Sequence, residues 1–168
     1  MDGGVPDDSD LARAGLLAEP VELLSQPFTE ATVTSLRHLI LSEVLAAGLD
    51  GDAAADFVLA IHELVTNAVR HGGGSGQIWL SRQADVLTCE VRDNGRGTDH
   101  LPQRPPDASV PGGRGLWLAH QLTGTLVMTN LPDGVSATVS VCLTRQPAES
   151  MSSTANLAEP SATDGEQP

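Results

Sequence analysis

Glu63 and Asn67 stand four residues apart in the run Glu63-Leu64-Val65-Thr66-Asn67-Ala68-Val69-Arg70-His71, so on a helix they lie one above the other. An acid and an amide placed this way can polarise a hydroxyl or water and help hold a hard cation such as Mg2+. A polar boundary pair on an amphipathic helix would have the same spacing. A second group, Asp93-Asn94-Gly95-Arg96-Gly97, follows a run of alternating residues. A carboxylate there can accept from an exocyclic amine, while the glycines let the main chain approach a flat ring closely. Asp-Asn-Gly is equally strong turn chemistry. The third group, Gly112-Gly113-Arg114-Gly115-Leu116, opens a short helical run. Glycines ahead of a helix N-terminus bare N–H groups at the positive end of the helix dipole, which suits phosphate. A flexible hinge is the plain alternative.

The elements that must position these groups follow from periodicity. Val21–Gln26 is a candidate first strand, and Thr29 a candidate N-cap. Val33, Leu36, Ile40, Val44 and Leu45 form an apolar helical stripe that ends near Gly48. A second helix starts at Asp50–Asp52, buries Phe57, Ile61, Leu64 and Ala68, and stops at the glycine run 72–74. Its polar pair, Glu63 and Asn67, flanks that buried stripe and so borders a cleft. Gln77–Arg82 and Val86–Arg92 predict two strands joined through Gln83–Asp85. The stretch from Asp93 to Gly113 is rich in Gly, Pro and Asp, and a connection of that length inside a compact domain often marks a lid. A short helix at Leu116–Leu122 follows. Strands at Thr125–Thr129 and Ala137–Leu143 come last, turning at Pro132–Gly134. Helices followed by hairpin-connected strands predict an α+β fold, a two-layer sandwich with the helices on one face.

Composition excludes several functions. The 168 residues suit one domain with one core. The net charge is −13, of which −4 falls in residues 1–19 and −4 in 147–168, leaving −5 between them. With no basic stripe, nucleic acid is not an expected partner. The chain contains no lysine, which rules out a P-loop, the ordinary protein-kinase lysine and Schiff-base chemistry. No apolar run is long enough to span a bilayer, and the acidic start lacks the basic beginning of a signal peptide, so membrane association is not expected and a cytoplasmic location is. Cys89 and Cys142, each in a strand-like run, are expected to be reduced, buried packing residues. Residues 1–19 are expected to form an acidic flexible segment, 20–145 the folded domain and 146–168 a flexible tail.

Taken together and in this order, the three groups resemble the boxes of the GHKL ATPase superfamily, whose domain is the Bergerat ATP-binding fold. Glu63-x-x-x-Asn67 is similar to the N box, Asp93-x-Gly95-x-Gly97 to the G1 box and Gly113-x-Gly115 to the G2 box. The resemblance covers roughly residues 21–144. Glu63 with Thr66-Asn67-Ala68 and His71, in a chain with no upstream phosphoacceptor helix, resembles the anti-sigma-factor serine/threonine kinase branch.

That resemblance implies a mixed, mostly antiparallel sheet, ATP as ligand and Mg2+ as its metal. By analogy, Asp93 accepts from the adenine amino group, and Gly95 and Gly97 keep the base pocket open. Asn67 ligates Mg2+, while Gly113, Gly115 and Leu116 at the helix start cradle the phosphates. Arg114 adds charge or is plain surface, and Thr138 on the last strand hydrogen-bonds near adenine. Glu63 is the implied general base, residues 98–111 the lid, and His71 a helix-end residue favoured by the dipole. The implied partners are a sigma factor and a STAS-domain anti-anti-sigma protein, with relatives commonly homodimeric. Two other functions keep the same nucleotide site: a regulator that holds its partner without phosphoryl transfer, and an ATPase acting on water.

Overall fold

Alternation along the strands decides which side of the sheet is covered. In the computed structural model, which describes residues 18–96 and 114–143, Leu87, Cys89 and Val91 point to one face while Thr88, Glu90 and Arg92 point to the other. The elements run β1 (Val21–Thr29), a single 3-10 turn (Glu30–Thr32), α1 (Val33–Ala46), α2 (Gly51–His71), β2 (Ser75–Gln83), β3 (Val86–Asp93), α3 (Arg114–Thr123), β4 (Val127–Leu131) and β5 (Gly134–Cys142). The strands lie in the order β1-β2-β3-β5-β4. All four pairings are antiparallel, so the mostly antiparallel character expected extends to every strand pair. The three helices cover one face, as an α+β two-layer sandwich requires.

The covered face brings Phe28, Ile78, Leu80, Leu87, Cys89, Val91, Ala137 and Val139 against Leu36, Ile40 and Val44 of α1 and Phe57, Ile61, Leu64, Val65 and Ala68 of α2. α3 packs chiefly on α2, placing its buried Ala119 over the join. The stripe expected on α2 is buried throughout. On α1 the pattern departs at Leu45, which is 49% exposed. Leu36, Ile40 and Val44 repeat every four residues, whereas Leu45 is turned by about 100° from Val44 and shares an outward row with the exposed Leu41.

Other boundaries move for local reasons. β1 continues through Pro27 to Thr29, because an edge strand tolerates a residue with no N–H to give. β4 begins at Val127, not Thr125. The Thr125 hydroxyl accepts from the Ser140 N–H at 2.9 Å and donates to the Ser140 carbonyl at 2.8 Å, so a side chain satisfies what a ladder residue would have. Cys89 is buried, and its thiol is pushed far up by burial and by the nearby Glu90 charge. Cys142 is exposed, against expectation, because it pairs with Val86 on the uncovered face at the end of β5.

The uncovered face has its own order. Arg92 donates to Glu90 Oε1 at 2.6 Å and lies 5.0 Å over the Trp79 ring, and the Ser136 hydroxyl donates to the same oxygen. Burial works to raise the Glu90 carboxyl, but the two hydrogen bonds and the Arg92 charge outweigh it and hold it below its ordinary value. Among the described residues no helix is long and apolar enough to cross a membrane. Of the flanks expected to be flexible, 1–19 and 146–168, all but Ala18 and Glu19 lie outside the described residues. Phe57, only 1% exposed, and Leu45 contrast the buried and solvent-facing sides of the helix layer. Urea unfolding is expected to show a loss of about 3–5 kcal/mol for Phe57→Ala. For Leu45→Ala the same measurement is expected to give a change within about 0.5 kcal/mol.

Candidate functional site

Glu63 and Asn67 project from the flank of α2 and are each half-buried. Opposite them begins α3, and its second residue, Gly115, is buried against the pair. A methyl group at Gly115 would stand 2.6 Å from Glu63 Oε2 and 2.9 Å from Asn67 Nδ2. The first and third sequence groups therefore meet, with the start of α3 resting directly on the acid–amide pair. Asn67 Nδ2 is buried and has no hydrogen-bond partner among the described residues. An orphaned buried amide costs about 1–3 kcal/mol, so the position calls for an acceptor.

Those atoms fit a magnesium-bound phosphate. Among the described residues no group of three or more His, Cys, Asp or Glu could enclose a metal. Mg2+ does not need one: it commonly takes one or two protein oxygens and completes its shell with phosphate and water. The Asn67 amide has an oxygen suited to such a cation and an N–H, unpaired among the described residues, suited to a phosphate oxygen. The first turn of α3 adds main-chain donors and the positive end of its dipole.

Asp93 closes the other end of the cleft. It is the last residue of β3, on the covered face, registered between Gly76 of β2 and Val135 of β5. Its Oδ1 accepts from the Gly95 N–H at 2.7 Å, which turns the chain away from the sheet and fixes the carboxylate. The Asn94 N–H donates to the Gly72 carbonyl at 3.2 Å, tying the exit of β3 to the end of α2. Gly134, at the start of β5, lets the Asp93 carbonyl pass where any side chain would block it. Burial raises the Asp93 carboxyl above its ordinary value, and the Gly95 hydrogen bond offsets part of that rise.

The structure thus brings Glu63, Asn67 and Gly115 together and joins Asp93 and Gly95 to the same helix through Gly72. Arg114 is exposed at the first position of α3. The Leu116 side chain packs against the core, so it anchors the helix start. His71 is exposed at the end of α2. Gly97, Gly113 and the expected lid, 98–111, lie outside the described residues.

Thr138 is not brought to this cleft. It registers with Glu90 and Val127 on the uncovered face, opposite to Asp93. Strand parity decides this: Val135, three residues earlier, shares both the register and the face of Asp93. Counting by twos from the apolar Ala137 and Val139 would have found Val135 from the sequence. The close seating of Gly72 and Gly134 around Asp93 left no such signal, because a glycine at a helix end or a hairpin turn has ample local reason to be there.

Residues 27–142 match the histidine kinase-like ATPase domain family. No curated protein matches. Among solved structures, the chain is similar to a Mycobacterium tuberculosis protein described as the RsbU and RsbW domains of Rv1364c. The identity is 22% and the TM-score 0.51, over 70% of this chain and 32% of that one. This chain therefore spans about a third of that relative's length, and the likeness is one of fold. The Acinetobacter baumannii histidine kinase AdeS matches at 15% identity and a TM-score of 0.46, over 74% of this chain and 70% of its own. With the match running from β1 through β5 and enclosing the whole cleft, the chain belongs to the histidine kinase-like ATPase domain family.

Proposed function

We propose that the protein binds ATP with Mg2+ in the cleft between α2, α3 and the Asp93 end of the sheet. In this reading it transfers the γ-phosphoryl group to a serine or threonine of a STAS-type anti-anti-sigma protein, and it also sequesters a sigma factor. The observation that carries the nucleotide site is the junction of Gly115 with Glu63 and Asn67, where a buried amide with no partner among the described residues faces a helix N-terminus. The regulatory partners rest on the resemblance of Glu63, Thr66-Asn67-Ala68 and His71 to the anti-sigma branch.

Each residue has a defined task. Asp93 accepts from the adenine amino group, and Gly95 and Gly97 leave room for the ring. Asn67 gives its amide oxygen to Mg2+ and its N–H to a phosphate oxygen. Main-chain N–H groups at Gly113 and Gly115 bind the phosphates, with Leu116 holding the helix start down and Arg114 placed to add charge. Glu63 accepts the proton of the incoming hydroxyl and orients it in line with the phosphorus. Bound MgATP would supply the electrophilic phosphoryl group, with ADP leaving as the bond from the γ-phosphorus to the β,γ-bridging oxygen breaks, and what remains for the protein is positioning and charge neutralisation. Thr138, on the other face, has no part in this scheme.

The acid separates catalysis from simple binding, since a protein that only holds nucleotide needs no base. Glu63→Gln is expected to keep ATP affinity while slowing phosphoryl transfer to the partner by about a hundredfold to ten-thousandfold, the usual contribution of a general base. An unchanged rate would remove Glu63 from the mechanism. Absence of any transfer by the wild type, with nucleotide still bound, would support a regulator that holds its partner without chemistry.

Asp93 gives a prediction with opposite signs for binding and stability. Its carboxyl titrates higher in the folded protein than in the unfolded chain, so the folded state favours the protonated form. Stability from this group is therefore present at acid pH and is lost as pH rises through the raised value. Asp93→Asn is expected to leave the nucleotide-free protein as stable as the wild type or more so at neutral pH, read by thermal unfolding. The same variant is expected to lose about tenfold or more in ATP affinity, the size of one charge-assisted hydrogen bond. Wild-type affinity is expected to weaken as pH falls through the raised carboxyl value. Equal loss of stability and affinity in the variant would assign Asp93 a structural role.

A further inference from the structure

Gly72, Gly73 and Gly74 form one run at the end of α2 but answer to different constraints. Gly73 and Gly74 have φ of +92° and +87°, with open space where a side chain would be, so their need for glycine is conformational. Gly72 has φ −99° and ψ 18°, a backbone that any residue adopts. Its constraint is space. A Cβ there would strike the Asp93 carboxyl carbon, would stand 2.5 Å from Asp93 Cβ and would stand 2.6 Å from the Ala68 carbonyl oxygen. Gly95 closes the other side: a Cβ on it would be 2.9 Å from Gly72 Cα. The Gly72 carbonyl accepts from Asn94, and its N–H donates to Ala68 at 2.7 Å.

We propose that Gly72 is the positioning residue that seats the Asp93 carboxylate and thereby sets the selectivity of the cleft for a 6-aminopurine. The inference rests on the reading of Asp93 as the acceptor for the adenine amine. Asp93 lies against the bare Cα of Gly72, and only four residues of α2, 68–71, separate Gly72 from Asn67. The base end and the phosphate end of the cleft are therefore held on one rigid helix, with Gly72 the contact that fixes their separation. A methyl group at 72 forces the carboxyl off this seat, because the Ala68 carbonyl behind it belongs to the helix backbone and cannot yield.

The test compares ATP with inosine triphosphate, which carries a carbonyl where adenine carries its amine. A carboxylate accepts from the amine and repels the carbonyl, so the wild type binds ATP more tightly. Gly72→Ala is expected to lower ATP affinity by about tenfold or more, the loss of one charge-assisted hydrogen bond, while affinity for inosine triphosphate stays the same or rises. Collapse of the ratio between the two nucleotides marks the role, since a merely structural defect lowers both affinities together. A wild type that binds both nucleotides equally would overturn the inference along with the base reading of Asp93. A wild type that discriminates, with Gly72→Ala discriminating as well, would overturn the inference alone. If Gly72→Ala folds too poorly to titrate, the paired variant Gly72→Ala/Asp93→Gly decides. Recovery of its melting temperature toward that of Asp93→Gly locates the conflict at Asp93 and supports the seat, and no recovery overturns it.

Discussion

The seating of α3 on α2 is the constraint from which the rest of the site follows. Gly115 brings main chain to van der Waals distance of Glu63 and Asn67, which only a residue without a side chain permits. Leu116 and Ala119 then hold the short helix against the core, so the position of its N-terminus is set by packing. The result is a half-buried acid, an amide with no partner among the described residues and a helix start converging on one spot. Each is costly or neutral for the fold alone, and all three become favourable around a phosphate with its cation. The second anchor, at Asp93, is held to the same helix through the Asn94–Gly72 hydrogen bond. α2 thus serves as the beam carrying both ends of the cleft.

The sheet keeps this beam in place while leaving its other face free. Leu87, Cys89 and Val91 fill the covered face up to the residue before the site, and Asp93 continues their parity into the cleft. On the opposite face Glu90, Arg92, Ser136 and Trp79 hold one another by hydrogen bonds and a cation–π contact across three strands. An exposed ion pair of this kind adds little stability. It does discriminate between registers, since a slip by one residue would bury Glu90 and Arg92 and expose Val91.

Much of this was legible in the residues because the local signals agreed with the tertiary result. The α2 stripe of Phe57, Ile61, Leu64 and Ala68, the glycine stop at 72 and the alternation in β3 each placed an element correctly. The closeness of Glu63 and Asn67 was visible because helical spacing translates directly into proximity. What escaped depended on neighbours far apart in sequence. Pro27 looked like the end of a strand until its edge position was known, and Thr125 looked like a ladder residue until its hydroxyl was found serving Ser140. Leu45 and Cys142 fit an apolar pattern, yet one step of helical or strand phase turns each outward. Thr138 failed on the same ground of parity, and the steric role of Gly72 depends on a contact twenty-one residues away.

A nucleotide site whose phosphate end works through a cation must bind ATP more tightly when that cation is present. Isothermal titration of the wild-type protein with ATP, with and without Mg2+, tests it most directly. Saturable binding of one ATP per chain, markedly tighter with Mg2+, is expected, because Asn67 and the α3 N-terminus alone leave much of the triphosphate charge uncompensated. A well-folded protein that takes up no ATP under either condition, or binds it equally in both, would rule out a cation-dependent nucleotide site.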